Sequence, residues 1–215
     1  VTARVAVSTP ARFLALGDSY TIGEGVAPGE RWPVQLAHRL RANGAAIGDP
    51  QIVATTGWTT DELSTAMDTQ AFAPPYALVT LLIGVNNQYR GRPLDNYRDE
   101  FVDLVARAVA LAGARRERIV VVSIPDWGVT RFAKDKGRDA AQIAREIDAF
   151  NGAARTIAAS SGIVFVDITP ASRDAGDADD MLVADGLHPS GAQYARWTTL
   201  IEPFAAAALA AESAA

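Results

Sequence analysis

The chain has 215 residues, 49% of them hydrophobic and 21% charged, which suits one globular domain with a sizeable core. Its net charge of −5 comes from acidic residues spread along the chain and argues against nucleic acid as the main partner, because phosphate binding needs clustered Lys and Arg. With no Cys and only two His, thiol nucleophiles and Cys-based zinc sites are excluded, a His-rich metal centre is not expected, and no cofactor is called for.

No run is long enough to span a membrane, and residues 1–10 lack the apolar stretch of a signal peptide, so a soluble chain is expected. Residues 1–11 carry Pro10 and little to bury, and read as a loose arm. The first strand is placed at residues 12–16 and stops at Gly17-Asp18-Ser19-Tyr20, a tight turn that would lift the Ser19 hydroxyl to the end of a sheet. A helix follows from Trp32-Pro33 to about Asn43-Gly44, carrying His38 as a surface residue. The second strand is residues 51–55, ended by Thr56-Gly57-Trp58. Thr59 and Glu62 then have the spacing of a capping box for a helix to about Gln70, and Pro74-Pro75 stops anything helical.

Residues 77–83 are almost continuously apolar, the pattern of a central parallel strand covered on both faces. They end at Gly84-Val85-Asn86-Asn87, read as another polar turn. A helix over 94–112 has Tyr97, Phe101, Leu104, Val105, Ala108 and Leu111 on one stripe. Residues 118–124 form the fourth strand, closed by Pro125-Asp126-Trp127-Gly128. Residues 134–139 read as a charged, mobile connection, followed by a long amphipathic helix ending near Ser161-Gly162. The fifth strand is residues 163–168, and 169–180 read as a long polar loop broken by Pro170 and Gly176. After Asp185-Gly186-Leu187-His188-Pro189 comes the last helix, which Pro203 should kink or split before an Ala-rich end. Strand and helix alternate five times, which predicts one parallel sheet with helices on both faces, an α/β three-layer sandwich over residues 12–212.

In such a sheet the loops at the carboxyl ends of the strands share one edge, so residues far apart in sequence converge there. A serine hydroxyl needs a base. Of the two His, His188 has Asp185 three residues before it, a spacing that can bring a carboxylate to the imidazole Nδ1 and leave Nε2 for Ser19. The backbone N–H groups of Ser19 and Gly57, and the Asn86 amide, are candidate oxyanion donors. Each motif also has an ordinary use: Gly-Asp-Ser and Asp-Gly are turn formers, His-Pro can open a helix, and a loop Asn often bonds its own backbone. No Gly-x-Ser-x-Gly elbow surrounds Ser19, and no dinucleotide-binding Gly-x-Gly-x-x-Gly opens a helix.

Taken together and in order, Gly17-Asp18-Ser19-Tyr20, Gly57, Gly84-Val85-Asn86-Asn87 and Asp185-x-x-His188 resemble the four blocks of the GDSL, or SGNH, hydrolase superfamily, over most of the chain. The resemblance implies a flavodoxin-like sheet and metal-free cleavage of esters, thioesters or related acyl groups. It gives Ser19, Asp185 and His188 the catalytic roles and Ser19, Gly57 and Asn86 the oxyanion hole. Asn87 stands where that family often has Asp, which keeps hydrogen-bonding capacity without charge. Trp58, Asn87, Tyr89 and Trp127 follow strand ends and are candidates for touching a small-molecule, lipid or sugar ester. The expected activity is ester hydrolysis through an acyl-enzyme in an open cleft. A sugar deacetylase or acyltransferase on the same triad, or a non-catalytic binding domain, are the alternatives.

Overall fold

The structure, a computed structural model, describes residues 9–210. Five strands, β1 (Ala11–Gly17), β2 (Ile47–Ala54), β3 (Leu78–Leu82), β4 (Ile119–Val122) and β5 (Val164–Val166), form one sheet in the order β2-β1-β3-β4-β5. All four pairings are parallel. Phe13 to Leu16 of β1 and all of β3 and β4 are buried, as continuous apolar strands require when both faces of a sheet are covered.

Among the described residues, nine α-helices join and follow the strands: α1 (Ser19–Ile22), α2 (Trp32–Ala42), α3 (Thr60–Asp68), α4 (Val85–Tyr89), α5 (Leu94–Leu111), α6 (Arg131–Asp135), α7 (Ala140–Ser160), α8 (Thr169–Ala175) and α9 (Gly191–Ala210). The strand order reverses once, after β2. Right-handed crossovers therefore put α2 on one face of the sheet and α3, α5 and α7 on the other. Helix α9 returns beside α2. Tyr97 of α5 stacks against Phe101 and against Phe150 of α7, with ring centroids 5.2 and 4.8 Å apart, while Tyr194 and Trp197 fill the α9 side. None of the described helices is long and apolar enough to cross a membrane.

Several elements differ from the sequence reading. Strand β2 starts at Ile47, earlier than expected: the register shifts between Ala11, which pairs with Ile47, and Phe13, which pairs with Pro50, so β2 carries one extra residue there and runs through Asp49 and Pro50. Pro is tolerated there because β2 is an edge strand. Gly84-Val85-Asn86-Asn87 opens the short helix α4 rather than a bare turn. The expected polar loop after β5 is largely helix α8. Pro170 sits in its first turn, where a missing N–H costs nothing. Pro203 does not split α9, which runs through it to Ala210. The charged connection at 134–139 is built: α6 covers its start, and the Asp139 side chain caps α7 by accepting from Gln142 N at 3.0 Å. Of the expected arm, Ala11 already pairs with Ile47, and residues 1–8 lie outside the described residues. The end of the Ala-rich tail lies outside them as well.

Candidate active site

The reversal in strand order opens a crevice beyond the carboxyl ends of β1 and β3, where open parallel sheets place ligands. A cleft of about 200 Å³ occupies it, lined by Ser19, Tyr20, Thr56, Gly57, Val85, Asn86, Tyr89, Trp127, Phe132, Leu187 and His188. Residues from four strand-end loops and the late His188 loop thus meet in one place.

Ser19 is the first residue of α1, separated from the end of β1 by Asp18 alone, and is 5% exposed. Asp18 caps that turn, its Oδ1 accepting from Tyr20 N at 3.0 Å. The Asp18 carboxyl is wholly buried, and burial pushes its pKa up to about 7 against hydrogen bonds that work to lower it. Among the described residues its Oδ2 has no partner.

His188 is buried beside the same cleft. Its Nδ1 lies 2.6 Å from Asp185 Oδ2, while Asp185 Oδ1 accepts from Leu187 N and His188 N at 2.8 and 2.9 Å. Partial burial works to raise the Asp185 pKa, but the bonds from the His188 ring and from the two backbone amides outweigh it and hold the carboxyl below its ordinary value. An ionised carboxylate only accepts, so Nδ1 carries the proton and Nε2 is left as an acceptor. The Tyr20 ring packs against the imidazole, tilted, with ring centroids 5.8 Å apart, and in turn against Trp197 at 6.1 Å. Burial, with the nearby Asp18, Asp185 and Asp126 carboxyls, pushes the Tyr20 phenol well above its ordinary range, so it stays neutral.

Gly57 takes φ +87°, a left-handed conformation that other residues adopt only with strain, and its carbonyl accepts from Arg90 Nη2 at 2.6 Å. Among the described residues, neither Ser19 N nor Gly57 N is spent on a protein acceptor. Asn86 Nδ2 donates to the Trp58 carbonyl at 3.0 Å, which orients the amide and leaves its second N–H for another acceptor.

Two of the candidate substrate contacts are placed elsewhere. Trp58 is partly buried against the core and does not line the cleft; its backbone carbonyl serves Asn86. Asn87 is fully buried, accepting from Thr60 N at 3.1 Å through Oδ1 and donating to Thr60 Oγ1 at 2.6 Å through Nδ2. It therefore caps α3, a task that needs an amide and no charge. Thr59 and Glu62 form the capping box that their spacing predicts, Glu62 accepting from Thr59 N at 2.9 Å, and the Thr59 hydroxyl also lies against the Asp61 and Glu62 carboxylates. Tyr89 and Trp127 do line the cleft, with ring centroids 5.3 Å apart. Trp127 is locked by its Nε1, which donates to Gln88 Oε1 at 2.8 Å, and Gln88 Nε2 donates to Glu146 at 2.6 Å. The preceding Asp126 is buried, bound by Arg173 Nε at 2.8 Å, and accepts from Gly128 N. Sequence reasoning missed Tyr20, Thr56, Val85, Phe132 and Leu187 as lining residues. All but Phe132 adjoin a motif residue within the chain, which was the available signal.

No curated protein sequence matches this chain. Among solved structures it is similar to TesA, at 20% identity over 90% of this chain and 97% of that one, with a TM-score of 0.67. It is also similar to Axe2, an acetylxylan esterase from Geobacillus stearothermophilus, at 20% identity over 93% and 95% of the two chains and a TM-score of 0.69. A third is the psychrotrophic esterase EstA from Pseudoalteromonas sp., inhibited by monoethylphosphonate, at 17% identity over 90% and 93% and a TM-score of 0.63. At these identities the likeness concerns the fold, the five-stranded parallel sheet with flanking helices. The family description is carried by the sequence itself: residues 15–196 match the model of the GDSL-like lipase/acylhydrolase family, and the chain belongs to that family.

Proposed function

We propose that this chain is a serine ester hydrolase working through an acyl-enzyme at Ser19. The observation that carries the reading is the convergence of Ser19, Gly57, Asn86 and His188 on one cleft, with Asp185 2.6 Å from His188 Nδ1. His188 Nε2 takes the Ser19 hydroxyl proton as Oγ bonds to the ester carbonyl carbon. The oxygen that becomes negative is met by Ser19 N–H, Gly57 N–H and the spare N–H of Asn86. Asp185 holds the imidazole in the Nδ1–H form and stabilises the imidazolium, without itself taking the proton. Collapse of the tetrahedral centre breaks the bond to the alcohol oxygen, which leaves with the proton from His188. Water, deprotonated by His188, then attacks the acyl carbon, and the acid departs as Ser19 regains its proton.

The test is hydrolysis of short- and medium-chain aryl esters by wild type and Ser19→Ala. A loss of at least about a thousand-fold in kcat is expected in the variant. Equal rates in the two proteins would sink the reading.

A further inference from the structure

The wall formed by Tyr89, Trp127 and Phe132 carries charge that the reaction above does not use. The Arg138 guanidinium lies 5.1 Å from the centroid of Trp127 and 5.6 Å from that of Tyr89, and Lys136 Nζ lies 5.9 Å from that of Phe132. All three rings line the cleft. We infer that this wall selects esters bearing a carboxylate or other oxyanion on the limb that runs along it, with Arg138 as the specificity-determining residue. This rests on the esterase reading.

Three observations support it. The backbone that presents Arg138 is fixed: α6 ends in a reversal at Gly137, φ +60°, with Gly137 N donating to Lys134 O and Arg138 N to Ala133 O, both at 2.9 Å. That is the paired bonding of a Schellman motif, so Arg138 is not on a wandering loop. Next, the neighbouring cations are neutralised and these two are not. Arg131 pairs with Asp179 and Lys134 with Asp177, whereas among the described residues Lys136 and Arg138 make no salt bridge. The adjacent Asp139 is turned to the first turn of α7. Finally, a guanidinium lying on aromatic rings keeps its N–H edge free for bidentate contact with an oxyanion, and the rings exclude part of the water that would screen it. On the opposite wall Arg90 is engaged by the Gly57 carbonyl and by Glu62. Across the cleft Thr56 donates to the Glu24 carboxylate, whose negative charge disfavours an anionic limb on that wall.

The experiment compares kcat/KM for two matched pairs: 4-nitrophenyl hexanoate against the 4-nitrophenyl monoester of adipic acid, and phenyl butyrate against 4-carboxyphenyl butyrate. One pair places the charge on the acyl limb and the other on the leaving limb. The anionic-to-neutral ratio in at least one pair should fall about fivefold in Arg138→Gln, fall further in the Lys136→Gln/Arg138→Gln double variant, and decline in wild type as salt rises. Arg138→Lys should recover part of it. Ratios unchanged within about twofold in both pairs, or equal losses on charged and neutral esters, overturn the inference and leave the esterase reading standing. A wild type that cleaves none of the four overturns both.

Discussion

Replacing Asp18 with Asn should flatten the dependence of stability on pH. In the folded protein Asp18 keeps its proton to about pH 7, while in the unfolded chain it loses it around the ordinary value of 3.8. Between those values the native state binds more protons than the unfolded state, so stability falls as pH rises. The penalty is absent below the lower value and complete above the upper one. A rise from 3.8 to about 7 corresponds to on the order of 4 kcal/mol in total, of which about 2–3 kcal/mol is expressed between pH 5 and pH 8. Asn keeps the acceptor that Oδ1 offers to Tyr20 N and removes the titration. Urea unfolding of wild type and Asp18→Asn at pH 5 and pH 8 isolates the effect, because groups common to both proteins cancel in the difference of differences. The variant should gain about 2–3 kcal/mol relative to wild type on going to pH 8. Parallel profiles, agreeing within about 0.5 kcal/mol, would refute the reasoning and mean that Asp18 titrates normally despite its burial.

Asp185→Asn should lower kcat by about ten-thousand-fold at neutral pH with little change in KM, because an amide facing Nδ1 favours the tautomer whose Nε2 already bears a proton. A loss below about tenfold would remove Asp185 from the orienting role. Neighbouring asparagines should separate cleanly. On the proposed mechanism Asn86→Ala loses an oxyanion donor and should cost about a hundred-fold to a thousand-fold in kcat. Asn87→Ala strands the buried Thr60 N and should destabilise by about 1–3 kcal/mol in urea unfolding, with a smaller effect on kcat. The reverse pattern would exchange their roles.

Much of the fold was legible because its signals are local. Continuous apolar runs at β1, β3 and β4 announce strands buried on both faces, and the stripe from Tyr97 to Leu111 announces α5, since periodicity records which side of an element faces the core. The misread segments were those where a residue's local bias is overruled by position. Pro170 is harmless in the first turn of α8, Pro203 is carried within α9, and Pro50 is accommodated on an edge strand.

At the site, scarcity of alternatives made Ser19 and the Asp185–His188 pair the candidates that the chain alone offers: two histidines, one with a carboxylate three residues away, leave few bases to propose. The Asn86-Asn87 pair could not be resolved that way. Which amide faces the cleft and which caps α3 depends on Trp58 and Thr60, nearly thirty residues upstream, so only the folded chain assigns them. The same holds for Tyr20 against the imidazole and for Arg138 over Tyr89 and Trp127. Composition and spacing determined which chemical groups the chain owns and which elements end beside them. Their mutual orientation was decided by tertiary packing, because a strand order that reverses once brings loops distant in sequence to a single edge.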